Sequence, residues 1–258
     1  MTGFETKCIS HSYEKGKPIL DRFTMSCVEG SVNVILGLNG CGKTTALKVM
    51  AGLIEPKEGE VMFDGRDLLS LSDKERSKYI AYVKQHGNHI SDYTVRDYLL
   101  FSTVNSLRTF QEPGEDERNR VDRCLLDLGI TELEYKRIGD LSGGQRQLVN
   151  ICAALVQNSR IILLDEPTSA LDKNNENLVL ELLRSVAANS GKTIILTTHD
   201  PNHALYLGAE VFLMKGGRII DSGTGSEIVN KDRLRPVYGD GICYSDELPY
   251  REVSYKWA

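Results

Sequence analysis

Long apolar runs are missing from this chain of 258 residues. Its longest apolar stretches, such as Ile161 to Leu164, are far shorter than the roughly 20 residues that a membrane-spanning helix needs. The first residues, Met1 to Glu5, lack the basic-then-apolar pattern of a secretory signal peptide. We therefore expect the protein to be made and kept in the cytosol.

The chain also lacks an excess of positive charge. Its 31 Lys and Arg stand against 36 Asp and Glu, whereas a general nucleic-acid-binding protein usually presents a basic surface, so we expect no nucleic acid among its partners. None of the six cysteines forms a C-x-x-C pair or has the spacing of a zinc site, and we expect reduced thiols. What remains is an ordinary globular composition, 41% hydrophobic and 26% charged, in a chain long enough for one sizeable domain.

Short apolar strands alternate with helical patterns, which predicts an α/β fold with a mostly parallel sheet. The strand signals fade between about residues 86 and 157, so we expect a helical lobe inserted in the α/β core. The main domain is predicted to span residues 1–235. Residues 236–258 are predicted to form a short C-terminal extension, whose weak alternation suits an extra hairpin.

A phosphate-binding loop is predicted at residues 37–44, which read G-L-N-G-C-G-K-T between a strand (Val32 to Leu36) and a helix from about Lys43 to Leu53. Glycines let successive backbone N–H groups turn toward a phosphate, and the helix start directs its positive dipole end at the same anion. The lysine adds a charge on the β- and γ-phosphates, and the Thr44 hydroxyl ligates Mg²⁺. A chance Gly-rich turn is the competing interpretation, but the flanking strand and helix favour ATP binding. Cys41 is interpreted as a small residue where the backbone binds.

Two carboxylates, Asp165 and Glu166, end the apolar strand that begins at Ile161. Such acids often only start a polar loop. Together with a phosphate-binding loop, however, they fit a Walker B strand, in which Asp165 holds the Mg²⁺ shell and Glu166 polarises an attacking water.

Residues 141–145, L-S-G-G-Q, precede an amphipathic helical pattern. Ser142 and Gln145 fit a capping box, so a plain helix start is one interpretation. Two glycines at a helix N-terminus also make an anion site, which favours composite nucleotide binding.

In this order the motifs resemble those of the nucleotide-binding subunit of an ABC (ATP-binding cassette) transporter, across nearly the whole chain. The matching positions are the P-loop at 37–45, the Q-loop at Gln85, the signature at 141–145, Walker B at 161–166, the D-loop at 169–172 and the switch histidine at His199. The resemblance implies a P-loop NTPase core with an N-terminal antiparallel β portion and an inserted helical lobe.

The resemblance also implies a mechanism. Two cassettes pair head to tail, most simply as a homodimer, with each ATP between one P-loop and the partner's signature. Glu166 is the general base, His199 contacts the γ-phosphate, and Gln85 senses the nucleotide. The residues implied to bind ATP are Tyr13 (on adenine), Gly37, Leu38, Asn39, Gly40, Cys41, Gly42, Lys43, Thr44, Thr45, Ser142, Gly143, Gly144, Gln145 and Asp172, and those implied to hold Mg²⁺ are Thr44, Gln85 and Asp165.

The partners implied are a membrane permease, gripped by the helical lobe near Arg96, and indirectly a substrate-binding protein, which places the subunit at the cytoplasmic face of the membrane. His199 and His203 are four residues apart and suggest a metal pair, but Pro201 between them favours a helix start. We therefore assign the switch role to His199 and a structural or surface role to His203.

Three segments resemble one branch of the family, the ATPases of iron-siderophore, haem and cobalamin importers: residues 71–85, 93–97 and 235–239. Alternative interpretations remain. In one alternative, the chain is the cassette of a cobalt, nickel or vitamin importer or of an exporter. In another, it is a soluble ABC ATPase that acts on ribosomes or DNA. The last class usually carries two cassettes or long coiled coils, which this sequence lacks.

Overall fold

The computed structural model describes residues 3–85, 92–103, 112–245 and 252–255. Within these residues, no helix has both the length and the apolar character to cross a membrane. The strands are β1 (Phe4–His11), β2 (Leu20–Cys27), β3 (Val32–Leu36), β4 (Glu58–Phe63), β5 (Arg66–Asp67), β6 (Ile80–Val83), β7 (Ile161–Asp165), β8 (Thr193–Thr198), β9 (Glu210–Lys215), β10 (Arg218–Thr224), β11 (Ile242–Ser245) and β12 (Glu252–Tyr255). The helices are α1 (Lys43–Met50), α2 (Asp73–Arg76), α3 (Val95–Ser102), α4 (Glu115–Asp127), α5 (Gly143–Val156), α6 (Lys173–Ser190), α7 (Pro201–Leu207), α8 (Gly225–Ile228) and α9 (Lys231–Tyr238).

A six-stranded sheet forms the centre of the molecule, in the order β10-β9-β3-β8-β7-β6. The strands from β9 to β6 run parallel, and only β10 pairs antiparallel, at the edge. All five residues of β3 and of β7 are buried, because helices or a second sheet cover both faces of a parallel sheet. The predicted parallel core is confirmed.

Side chains that alternate along these strands enter two separate hydrophobic clusters. Val34 and Leu164 face one cluster together with the helices α3 to α6. Ile35 and Leu163, their neighbours in sequence, face the other cluster together with α1 and the second sheet. The period of two along a strand therefore divides the core into a helical side and a β side.

The second sheet has the order β2-β1-β4-β5 and is antiparallel. It confirms the expected N-terminal antiparallel β portion. A third, two-stranded sheet pairs β11 with β12, Ile242 opposite Tyr255, so the hairpin suggested by the weak alternation of the C-terminal residues is present.

Helices α3, α4 and α5 and the short 3-10 turns Thr131–Leu133 and Ile138–Asp140 occupy the part of the chain where the strand signals faded. Part of the predicted lobe, residues 86–91 and 104–111, lies outside the described residues. At the other end, α9 continues across residue 235, and the domain boundary at that residue stays a prediction.

Helix α1 is shorter than expected, since it ends at Met50 instead of Leu53. Gly52 adopts a positive φ of 69° and its N–H donates to the Val49 carbonyl, which closes the last turn. Helix α2 begins with a cap that its sequence pattern predicts. Ser72 forms a capping box with Glu75 at α2, as expected from the pattern S-x-x-E.

Candidate functional site

The loop between β3 and α1 lies at the carboxyl end of the central parallel strands, the usual ligand edge of such a sheet. Gly42 has φ 110° and caps α1, and a Cβ on it would stand 2.8 Å from the Ile19 carbonyl oxygen. Gly40 has φ 79°, with open space around it. Only glycine adopts these conformations without strain, which explains two of the three glycines of the motif.

Lys43 is buried, and its side chain binds backbone carbonyl groups of the loop. Its Nζ donates to the carbonyl oxygens of Gly37, at 2.8 Å, and Leu38, at 3.2 Å. The same Nζ forms an ion pair with Glu166 Oε1 at 3.2 Å. Both side chains are largely removed from water, 5% and 11% exposed. The lysine therefore already carries an anionic partner at the place where the sequence predicts phosphate.

Asp165 ends β7 beneath the start of α1. Its Oδ1 accepts hydrogen bonds from Thr44 Oγ1 at 3.1 Å and from Thr197 Oγ1 at 2.8 Å. A carboxylate and a hydroxyl oxygen side by side are the hard oxygen donors that Mg²⁺ prefers. The donor set of Thr44 and Asp165 fits a magnesium ion that keeps further positions for water and phosphate oxygens.

Glu166 stands on a sharp turn after β7, with φ 44°. A positive φ is unusual for glutamate and costs of the order of 1–3 kcal/mol, and such strain concentrates at functional sites. Its N–H donates to Thr197 Oγ1 at 2.9 Å, which supports the turn from β8. The turn aims the carboxylate at the loop and at Lys43.

Gln85 and His199 converge on the other carboxylate oxygen of Glu166. Gln85 Nε2 donates to Glu166 Oε2 at 3.2 Å, and to Ser169 Oγ at 3.5 Å. His199 Nδ1 lies 3.6 Å from the same Oε2. The three residues assigned catalytic roles by resemblance are thus brought together.

A cavity of about 440 Å³ opens in front of the loop. Nine of its ten lining residues were predicted from the sequence, and the complete set is Tyr13, Ile19, Asn39, Gly40, Gly42, Lys43, Thr44, Thr45, Gln85 and Glu166. Tyr13 is 62% exposed at the rim, with its hydroxyl 3.4 Å from Thr45 Oγ1. An exposed ring beside a phosphate loop offers a stacking surface for a base.

Ile19 was not predicted, and a single apolar residue before a strand gives no signal for such a role. Cys41 is half-buried, and burial raises the pKa of its thiol, although Lys43 acts in the opposite direction. A protonated thiol is a poor nucleophile, which agrees with the interpretation of Cys41 as a small loop residue.

The predicted signature residues do not line this cavity. Ser142 caps α5 and forms a capping box with Gln145, so the plain helix start is also present. A Cβ on Gly144 would stand 3.2 Å from the Ala170 carbonyl oxygen, and Gly143 has open space around it. Asp172 caps α6 by accepting from the Asn175 N–H at 2.9 Å. Within the described residues, this chain alone does not bring its signature to its own phosphate loop.

A second cavity of about 230 Å³ shares Glu166 with the first. It is lined by Glu166, Thr168, Ser169, Leu171, Glu176, Thr198, His199, Asp200 and His203. His203 is buried, with Nδ1 bonded to Thr198 Oγ1 at 2.9 Å. Among the described residues, no group of three or more His, Cys, Asp and Glu is placed to hold a metal.

Comparison with known proteins gives a family match and full-length relatives. The family model for the ABC transporter matches residues 20–169. A Helicobacter pylori protein described as a probable iron chelatin transport ATP-binding protein is 32% identical over 248 residues, 95% of this chain and 97% of its own length. The iron(3+)-hydroxamate import ATP-binding protein FhuC of Bacillus subtilis is 32% identical, over 85% and 82% of the two chains.

Among solved structures, an ABC transporter assigned to the metal-chelate type, in an inward-facing conformation, superimposes with a TM-score of 0.83. The match covers 99% of this chain and 98% of that chain, at 25% identity. The shared fold therefore includes the C-terminal part of the chain as well as the region matched by the family model.

Proposed function

The chain belongs to the ABC transporter family as an ATP-binding, ATP-hydrolysing cassette, and we propose that it drives the uptake of an iron complex, such as a siderophore or haem, or of cobalamin, through a partner permease. The iron chelatin and hydroxamate relatives support the cargo class, as does the metal-chelate structure. The branch-like segments at residues 71–85, 93–97 and 235–239 agree with this assignment.

The observation that carries the hydrolytic part is the convergence of Lys43, Thr44 and Glu166 at one cavity, with Asp165 hydrogen-bonded to Thr44. In the proposed reaction, water attacks the γ-phosphorus and its proton passes to Glu166, while the bond to the leaving ADP oxygen breaks. Lys43 neutralises charge on the β- and γ-phosphates. For this reaction the phosphate must replace Glu166 as the partner of Lys43. The Glu166 carboxylate is then free to accept the proton of the water.

Mg²⁺ is proposed as the cofactor, held by Thr44 and Asp165 and, by resemblance, by Gln85. When bound, it neutralises charge on the β- and γ-phosphate oxygens. Asp165 is prepared for this role because Thr197 holds its Oδ1.

A second cassette is proposed to complete each ATP site. The signature at 142–145 lies outside the cavity of its own chain, yet its two glycines start a 14-residue helix, and a helix N-terminus favours an anion. A head-to-tail pair places one signature opposite the other phosphate loop, and we propose a homodimer.

The permease is proposed to dock on the helical lobe beside α3. Tyr93 and Phe101, 40% and 56% exposed, form a T-shaped ring pair with centroids 5.0 Å apart. Arg96, expected to face the permease, is bound within the lobe to Asp122 at 2.7 Å and to Glu134. The hydrogen bond to Asp122 raises the pKa of Arg96, so this cross-link stays charged. We propose that the aromatic pair is the contact and that Arg96 braces it, at the cytoplasmic face of the membrane.

Tyr93→Ala tests the docking proposal in vesicles that contain the permease. We expect uptake of the labelled iron complex to fall by about ten-fold or more, since buried aromatic anchors contribute 2 kcal/mol or more at interfaces. Hydrolysis by the isolated cassette should stay unchanged. Tyr206→Ala, which removes a ring of equal exposure on α7, is the matched control.

Retained uptake by Tyr93→Ala would show that the permease docks elsewhere. Export of the labelled complex instead of uptake would favour the exporter alternative. Co-sedimentation with ribosomes, without a membrane partner, would refute the transport proposal itself.

A further inference from the structure

The switch histidine, His199, has little to orient its ring. Its side chain is 52% exposed, and Nδ1 lies 3.6 Å from Glu166 Oε2, beyond ordinary hydrogen-bond distance. The rotamers open to a side chain depend on the φ and ψ of its backbone. The contacts that hold the backbone of residues 198–200 therefore limit the directions in which the imidazole can point.

One side of this short segment is held from within the core. Thr198 Oγ1 is bonded to His203 Nδ1 at 2.9 Å and accepts the N–H of Asp200 at 3.0 Å. Asp200 in turn caps α7 by accepting from the Asn202 N–H at 2.9 Å. These hydrogen bonds hold the residues before and after His199. The carbonyl oxygen of His199 itself is bound by a residue from another part of the chain.

That partner comes from the C-terminal helix. The Tyr238 hydroxyl donates to the His199 carbonyl oxygen at 3.0 Å. Tyr238 is the last residue of α9 and is half-buried against the helical side of the core. The bond joins two positions 39 residues apart.

Helix α9 is a firm base for this bond. Asn230 caps its start by accepting the N–H groups of Asp232 and Arg233, each at 3.1 Å. Leu234 is fully buried, and Lys215 Nζ donates to the Pro236 carbonyl at 2.5 Å. The tyrosine therefore sits on a helix tied to the end of β9.

We propose that Tyr238 is a positioning residue for hydrolysis, which holds the His199 peptide so that the imidazole is aimed at the γ-phosphate. The inference rests on the role of His199 in the proposed function. This role would couple the C-terminal helix α9 to ATP hydrolysis. A shift of α9 would change the position of His199 through the hydrogen bond from Tyr238.

Tyr238→Phe tests this, because it removes the hydroxyl and keeps the ring in place. We expect kcat for ATP to fall by about five-fold, the equivalent of one net hydrogen bond, with KM and the Kd for ATP unchanged. The rate is taken per molecule that binds ATP, counted by binding stoichiometry, so a folding defect does not imitate the effect. Tyr206→Phe, the same change on α7, is the control.

A double-mutant cycle with His199→Ala separates positioning from general damage. Radiolabelled phosphate release at high enzyme concentration measures the slow variants. If Tyr238 acts through His199, Tyr238→Phe has no further effect once the imidazole is gone. The same fold loss in both backgrounds, a full kcat in the single variant, or a change confined to KM would overturn the inference.

A failure of the proposed function would give a different result from a failure of the Tyr238 proposal. If His199→Ala hydrolysed ATP normally, His199 would have no switch role and the proposed mechanism would fall with it. If His199→Ala were impaired and Tyr238→Phe were fully active, only the role of Tyr238 would be refuted.

Discussion

Replacement of Glu166 by glutamine separates its proposed catalytic role from its ion pair with Lys43. Glu166 is the proposed proton acceptor, and it is also the ion-pair partner of Lys43 at 3.2 Å. Glutamine keeps the shape and an acceptor oxygen but loses the charge. The change should therefore stop hydrolysis and at the same time release Lys43 for the phosphates.

The magnitudes follow from these contacts. A general base contributes about 10²- to 10⁴-fold, so hydrolysis should fall by at least about 100-fold. At an effective dielectric constant of about 20, two charges 3.2 Å apart attract by roughly 5 kcal/mol, and part of this opposes ATP binding. Recovery of about 1.4 kcal/mol would tighten ATP binding by about ten-fold.

Folding should change little by comparison. Breaking a buried ion pair costs about 3–5 kcal/mol when one charge is left alone. In Glu166→Gln, Lys43 keeps the carbonyl oxygens of Gly37 and Leu38, and the amide oxygen still accepts. We expect a loss of less than about 2 kcal/mol in the free energy of unfolding.

Single-turnover phosphate release measures the rate, calorimetry measures the ATP affinity, and gel filtration detects the dimer that slow hydrolysis should trap. Glu60→Gln, which removes an exposed carboxylate of β4, is the control for net charge. Hydrolysis within about three-fold of the wild type would refute the base assignment. Weaker ATP binding would refute the competition between Glu166 and phosphate for Lys43.

Two further predictions concern the loop. Lys43→Ala should weaken ATP binding by about 10- to 100-fold in calorimetry, because a charge-assisted phosphate contact is lost and Glu166 is left to repel the anion. Lys48→Ala on the same helix should bind normally, and equal affinities of the two variants would contradict the placement of the phosphates. Gly42→Ala should lower the free energy of unfolding by at least about 2 kcal/mol in urea titrations, since its φ of 110° and the Ile19 carbonyl at 2.8 Å both oppose a Cβ. Gly40→Ala, which has only its φ of 79° against it, should cost about 1 kcal/mol, and equal losses at both positions would show that the Ile19 contact has no effect.

The features that the sequence predicts well are local ones. The capping box of Ser142 and Gln145 closes within four residues, so its pattern is visible without any tertiary structure. The same holds for the strand, loop and helix of residues 32–50, where an apolar run, glycines and Lys43 follow one another. The apolar run that ends in two acids likewise predicted a strand with Asp165 and Glu166 at its end.

Features that depend on distant contacts escape such patterns. Only the pairing with β1, a strand far earlier in the chain, places β4 in the antiparallel sheet. Ile19 lines the cavity because β2 brings it beside the loop. The Tyr238 bond to His199 is one hydroxyl on one carbonyl, and no residue pattern encodes it.

The position of β3 in the central sheet has a consequence for synthesis of the protein. β3 lies between β8 and β9, which the ribosome makes more than 150 residues later. A nascent chain that has passed its phosphate loop still lacks both neighbours of the strand that supports it. The central sheet around the phosphate loop is therefore complete only after β9, which ends at Lys215, has been synthesised.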